Sequence, residues 1–444
     1  MLSFFRGRSL LTLALLALAP LRAYGEGSEA AAPPVEKSGT RAEAWRRARL
    51  EKAKRTRPPR QGFLERQILA IEKAERPSIL SLQYKGFHPT FASVSSGSRV
   101  APGVRFWAPD IGGSALSLHA SAAYSIAGYQ LYDLQFGRMP HRGDDLPPRS
   151  PQGDDIYELG SLQKSTVSHL ILYGSFRYRY HPRERFHGLG PDSRLEDRTS
   201  FLLRDASYDV VGGWQLGPRL AATLRAGYLQ PDTGPGKDDH LPTIRDRFGD
   251  ESAPGLDLQP DFWRLSAVVL LDLRDQPFNP HRGGMLAASW SRYEDRDGDA
   301  FRFDRVAVDA RGYLPLGSPQ RVLAVRLYTS LDDPAAGARV PFYLQEALGN
   351  SHTLRGWDTF RFRGEKLLSL QAEYRWEAAP AVELALFVDA GKVFAELSDW
   401  NLEHLRTGYG AGLRVKTWKD TLVRFDVGHG REGTRTYLRF GASF

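Results

Sequence analysis

Apolar and polar residues alternate along most of the chain from about residue 98 onward. In 436–444, Leu438, Phe440, Ala442 and Phe444 fall on one face of an extended segment, and Tyr437, Arg439, Gly441 and Ser443 on the other. In 421–428, Val423, Phe425 and Val427 oppose Arg424 and Asp426. In 366–376, Leu368, Leu370, Ala372, Tyr374 and Trp376 oppose Gln371, Glu373 and Arg375; in 381–392, Leu384, Leu386, Val388 and Ala390 oppose Glu383, Phe387 and Asp389. A period of two is that of a strand with two unlike faces. Sixteen strands are predicted on this pattern: 99–108, 114–124, 128–137, 155–164, 166–181, 199–216, 218–230, 261–273, 283–294, 301–313, 321–331, 366–376, 381–392, 408–416, 421–428 and 436–444.

The lengths of the connections carry a second signal. Numbered in order, the long ones (138–154, 182–198, 231–260, 332–365 and 393–407) all follow odd-numbered strands, whereas links such as 125–127, Gly217 and 377–380 are short. Long loops at one end and tight turns at the other are the mark of an outer-membrane barrel, and an even strand number returns the chain to the end where it began. The predicted fold class is all-β, a sixteen-stranded antiparallel transmembrane barrel over 95–444.

The chain ahead of the barrel differs. Arg6 and Arg8, an apolar core from Leu10 to Ala19, and small residues at Ala23 and Gly25 read as a signal peptide over 1–25. Residues 26–78 read as a periplasmic linker with helices at 41–56 and 62–75, the second apolar at positions 64, 68, 69 and 71. These helices are read either as solvated or as an amphipathic element docking at the barrel mouth or the inner leaflet.

Composition agrees with a barrel. Mean hydropathy is −0.41, yet there are 18 Tyr, 23 Phe and 9 Trp, as when only alternate residues face lipid and aromatic girdles mark the interfaces. Past the first twenty residues no apolar run reaches the length of a spanning helix. The absence of cysteine excludes disulfide and thiolate chemistry. The net charge of +8 is concentrated in 41–60, and no basic module interleaved with aromatics points to nucleic acid.

Motifs for covalent chemistry are missing: there is no Gly-x-Ser-x-Gly elbow, His-Glu-x-x-His or Walker loop. Asp295-Arg-Asp-Gly-Asp299 has calcium-like spacing but lacks the later bidentate glutamate, and reads as a hairpin tip. Gly408-Tyr-Gly-Ala-Gly412 reads as a strand in which small side chains relieve crowding or permit bending. Neither enzyme activity, a cofactor nor a metal is expected.

Five segments together resemble the BamA/TamA superfamily of outer-membrane assembly barrels, the bacterial surface antigen domain, over roughly 95–444. Leu354-Arg355-Gly356-Trp357, in the longest loop, resembles the family's Val-Arg-Gly-Phe/Tyr motif. Phe387-Val-Asp-Ala-Gly-Lys-Val-Phe394 resembles its Asp-x-Gly segment, closed here by Gly391. Asp272–Gly284 and Phe186–Ser193 resemble turns of these barrels, and Phe444 the aromatic end of a C-terminal insertion signal that would include Tyr437 and Phe440. The resemblance implies that the motif loop folds into the lumen, continuing through Arg361, Arg363 and Gly364, with Arg355 held by Glu373 and Asp389 and Trp357 packed on the wall. The alternation independently places both carboxylates on the lumenal side.

It further implies insertion or translocation of proteins, or of lipids, at the bacterial outer membrane. The expected partners are outer-membrane lipid and lipopolysaccharide, substrate outer-membrane proteins or periplasmic helper proteins, with both termini periplasmic. Periplasmic POTRA modules are not expected, because 26–94 shows no βααββ pattern. Two other readings stand beside this one: a passive pore and an outer-membrane lipase.

Overall fold

In the computed structural model the alternation becomes one antiparallel sheet. The structure describes residues 86–92, 94–95, 97–139, 169–276, 279–379, 381–416 and 421–440. The signal peptide and helices predicted over 1–78, the strand predicted at 155–164, and Phe444 lie outside the described residues.

The strands are β1 (Phe87–Ala92), β2 (Ala101–Ala108), β3 (Ser117–Tyr124), β4 (Gln130–Arg138), β5 (His169–Phe186), β6 (Thr199–Leu216), β7 (Leu220–Pro235), β8 (Phe262–Asp272), β9 (Gly283–Asp295), β10 (Phe303–Leu316), β11 (Ser318–Pro334), β12 (Glu346–Leu348), β13 (Phe362–Gly364), β14 (Lys366–Ala379), β15 (Val382–Phe394), β16 (Arg406–Lys416), β17 (Thr421–Gly430) and β18 (Gly433–Phe440). Sixteen of them pair in sequence order, and β12 with β13 forms a separate two-stranded hairpin inside the β11–β14 loop. The edge strands β1 and β18 lie side by side, with Cα atoms within 8 Å, but no hydrogen-bonded ladder joins them among the described residues.

Exposure follows the two faces. Leu386 and Val388 are 62% and 54% exposed on the outside, while Asp389 and Asp426 are fully buried inside. This inverts the arrangement of a soluble sandwich and suits a wall whose outer face meets lipid. Among the described residues no helix is long and apolar enough to cross a membrane.

The strand count agrees with the expectation, but the roster differs. The sheet begins one strand earlier, with Phe87–Ala92 paired to β2. Because β4 pairs directly with β5 along Gln130–Arg138, no strand from 155–164 stands between them. The parity of the connections shifts with this. The segment 139–168 joins an even to an odd strand and leaves the sheet at the end of the short turns 217–219 and Gly317. The length rule therefore has one exception. Both the start of β1 and the end of β18 sit at that same end.

Candidate functional site

The loop between β11 and β14 turns inward. Its path is set by Gly349 and Gly356, whose φ values of 100° and 90° favour glycine. At Gly349 a Cβ would lie 2.2 Å from the Asp358 carbonyl oxygen. The hairpin pairs Glu346 with Gly364 and Leu348 with Phe362. An apolar cluster of Tyr328, Leu348, Leu354, Trp357, Phe362, Leu367 and Val393 fastens the loop to the wall.

Arg355, at the loop tip, is completely buried. Its Nε and Nη2 donate to Asp389 Oδ2 and Oδ1, each at 2.6 Å, and its Nη1 donates to Glu373 Oε1 at 2.7 Å. Its backbone N–H donates to Asp389 Oδ2 at 3.0 Å. The guanidinium carbon sits 3.4 Å from the centre of the Phe387 ring. A planar fork suits this two-pronged contact where a lysine would not. Gly391, further along the same strand, leaves room for Leu348, whose Cδ1 lies 3.1 Å from where a Cβ would stand.

The floor under the tip is glycine. A Cβ on Gly408 would stand 1.9 Å from the Arg355 carbonyl oxygen; one on Gly428 would meet the Gly356 nitrogen at 2.9 Å, and one on Gly430 the Gly356 oxygen at 2.8 Å. The glycine-rich strand thus relieves crowding, here against the loop backbone. Gly356 N–H donates to the Tyr437 hydroxyl at 2.9 Å, and Trp357 Nε1 donates to the Thr407 carbonyl at 2.9 Å. Leu354 is fully buried. Tyr437, predicted as part of an insertion signal, therefore points inward to the loop. Of Phe440 only the backbone is described.

A second clasp holds the other side of the loop. Asp358 accepts hydrogen bonds from Arg185, Arg198 and His187 Nε2. Burial works to raise its carboxyl, but the hydrogen bond from His187 and the charge of Arg185 hold it well below the usual range. Burial lowers the His187 imidazole from its ordinary value, and its Nδ1 has no hydrogen-bond partner. Arg361 donates to Glu432 at 2.7 Å and to the Ser193 carbonyl at 2.7 Å. Gly190 N–H donates to the Arg363 carbonyl at 2.8 Å. The segments 186–193 and 354–364, more than 150 residues apart, are in this way one assembly.

Down the wall, charges continue the contact. Glu373 also accepts from Arg414 at 2.9 Å, Arg375 at 3.1 Å and Arg424 at 3.2 Å. Lys416 bridges Glu383 and Glu377, and Glu377 meets His281 of the 272–284 turn at 3.0 Å. Asp426, 3.5 Å from Arg355, and Asp358 were not singled out in the sequence. The alternation put Asp426 on the lumenal face, whereas Asp358 lies in a loop where no periodicity marks it. A cavity of about 90 Å³ lies between the hairpin and β5–β10, lined by residues including His181, Glu184, Arg264 and Arg363.

A family model described as the Omp85 superfamily domain matches residues 220–442. The fold is similar to the crystal structure of BamA from Haemophilus ducreyi lacking POTRA domains 1-3, with a TM-score of 0.54 and 15% identity over 82% of this chain and 71% of that one. CdiB from Acinetobacter baumannii aligns with a TM-score of 0.43 and 12% identity over 78% of this chain and 57% of its own. Comparison with curated proteins gave no match. At 15% identity the likeness to the BamA structure speaks for the fold alone.

Proposed function

Because the chain belongs to the Omp85 superfamily, whose barrels serve protein insertion and translocation at the bacterial outer membrane, we propose that it assists nascent outer-membrane proteins, or lipids, to enter that membrane. The observation that carries this reading is a loop turned into the lumen, its tip held by Arg355, Glu373 and Asp389, beside two edge strands that no ladder joins among the described residues. A loop held in the lumen suits a barrel that works at its wall and its edge. A wide aqueous pore would need the loop elsewhere. No covalent step is needed, and the partners would be client barrels or periplasmic helper proteins, together with outer-membrane lipid and lipopolysaccharide.

The test is reconstitution. Liposomes carrying the protein receive a denatured outer-membrane barrel, and the heat-modifiable gel shift of that client is followed beside efflux of a small trapped dye. The expected outcome is faster client folding than in empty liposomes, with little efflux, and loss of that acceleration in Arg355→Ala. Unaccelerated folding overturns the proposal, and dye efflux in its place makes a passive pore the better account.

A further inference from the structure

Three arginines stand directly opposite one another across the last three strands. The register pairs Arg414 with Arg424 and Arg424 with Arg439. All three face the lumen, between outward Leu413, Phe425 and Leu438. Like charges opposed across strands destabilise a sheet unless something lies between them. Arg414 and Arg424 share Glu373 and Asp426. Arg439 donates to Ser351 Oγ at 2.7 Å, and no carboxylate lies within 4 Å of it among the described residues.

The loop above the row adds unused polar atoms. Asn350, 1% exposed, has a side-chain nitrogen without a partner, and His352 Nε2 has none either. Burial, together with Arg439, Arg326, Arg424 and Arg311, holds the His352 imidazole neutral, well below its ordinary range. Arg311 and Arg326 meet Asp309, Arg424 meets Asp426 and Glu373, and Arg414 also lies 3.5 Å from Glu383. Glu373 is itself shared with Arg355, Arg375 and Arg414. Arg439 thus stands without a carboxylate of its own among the described residues, at the end of the barrel with the short turns, one rung from where β18 reaches Phe440.

We propose that the Arg414–Arg424–Arg439 row is a lumenal binding site for a phosphate-class oxyanion, entering from the short-turn end. Guanidinium groups match phosphate oxygens in geometry and charge, and a multivalent anion relieves opposed arginines as a single chloride does not. The same chemistry belongs to free phosphate and to a phospholipid headgroup.

The test uses the full chain in a neutral detergent. Inorganic phosphate is titrated at constant ionic strength against chloride, while the midpoint of the heat-modifiable transition and the 31P linewidth of phosphate are read. Wild type is expected to show a raised midpoint and a broadened line, and Arg439→Gln to weaken the apparent affinity about tenfold or more, as loss of a charged hydrogen-bond donor does. Short-chain phosphatidic acid is run in parallel; a response to it alone, lost in Arg439→Gln, supports the site with a headgroup as its ligand. The linewidth in wild type decides the matter should the variant fail to fold. No broadening by either probe, a response matched by chloride, or an equal response in a folded Arg439→Gln overturns the proposal.

Discussion

Arg355 reaches Glu373 and Asp389 only because nothing but hydrogen occupies the wall beneath its backbone. Burial of two acids and a base is not in itself a gain, since desolvation offsets most of the attraction. Removing the arginine alone is different: it leaves two carboxylates buried without their main partner, at a cost of about 3–5 kcal/mol. The glycine floor gives a cleaner test, because it alters no charge. Gly408→Ala would put a carbon 1.9 Å from the Arg355 carbonyl oxygen, so the tip must lift. Gly212→Ala, on the outer face of β6, would meet only Leu172 Cδ1 at 3.9 Å. The expected outcome is that limited proteolysis cuts 335–365 in folded Gly408→Ala, with about 1–3 kcal/mol of stability lost to crowding, while Gly212→Ala behaves as wild type. Equal resistance in both variants would show that the tip does not lie on the wall.

At the level of elements, the hairpin β12–β13 and the 186–198 connection grip each other through Asp358, and that grip titrates. His187 sits in the folded clasp as the neutral ring, donating from Nε2, and a proton added at Nδ1 finds no acceptor. Its pKa in the clasp is depressed below the ordinary value of 6.5, so its contribution is complete above 6.5 and is lost as pH falls below that value toward the depressed one. Asp358 is depressed too, and its contribution fades only in stronger acid. Protection of the loop from an acid-active protease is therefore expected to decline in two stages as pH falls, with the first stage absent in His187→Asn. A flat profile between pH 7 and 5 would remove His187 from the clasp. Much of this wall was legible in the sequence, because alternation alone sorts Glu373, Asp389, Arg424 and Asp426 to one face of their strands. What was not legible has physical reasons. β1 is six residues long and carries Pro89, a residue that argues against a central strand and is tolerated at an edge. β5 runs on past Pro182 by shifting register between His181 and Glu184. Local alternation in 155–164 suggested a strand, but β4 and β5 use each other's hydrogen bonds, and a pattern read along the chain does not know which edges are already taken.

For the molecule as a whole, the distribution of connections bears on which way it faces. One end of the sheet carries 236–261 and 335–365; the other carries Gly317 and 217–219, the start of β1 and the end of β18. Outer-membrane barrels keep their tight turns on the periplasmic side, which would place both ends of the sheet, and the arginine row beside them, toward the periplasm. The segment 139–168 leaves from that same end and breaks the rule of lengths, so orientation has to be measured directly. An epitope inserted after exposed Asp239 is expected to be labelled on intact cells, and one inserted after exposed Gly317 only once the outer membrane is permeabilised. The two sites lie at opposite ends of the wall, so each controls for the other. The reverse pattern would turn the barrel over, move the arginine row to the cell surface, and make anions of the surrounding medium its ligands in place of those of the periplasm. It would also put β1 and β18 where no periplasmic client could reach their ends, and the proposed role in insertion would fall with it.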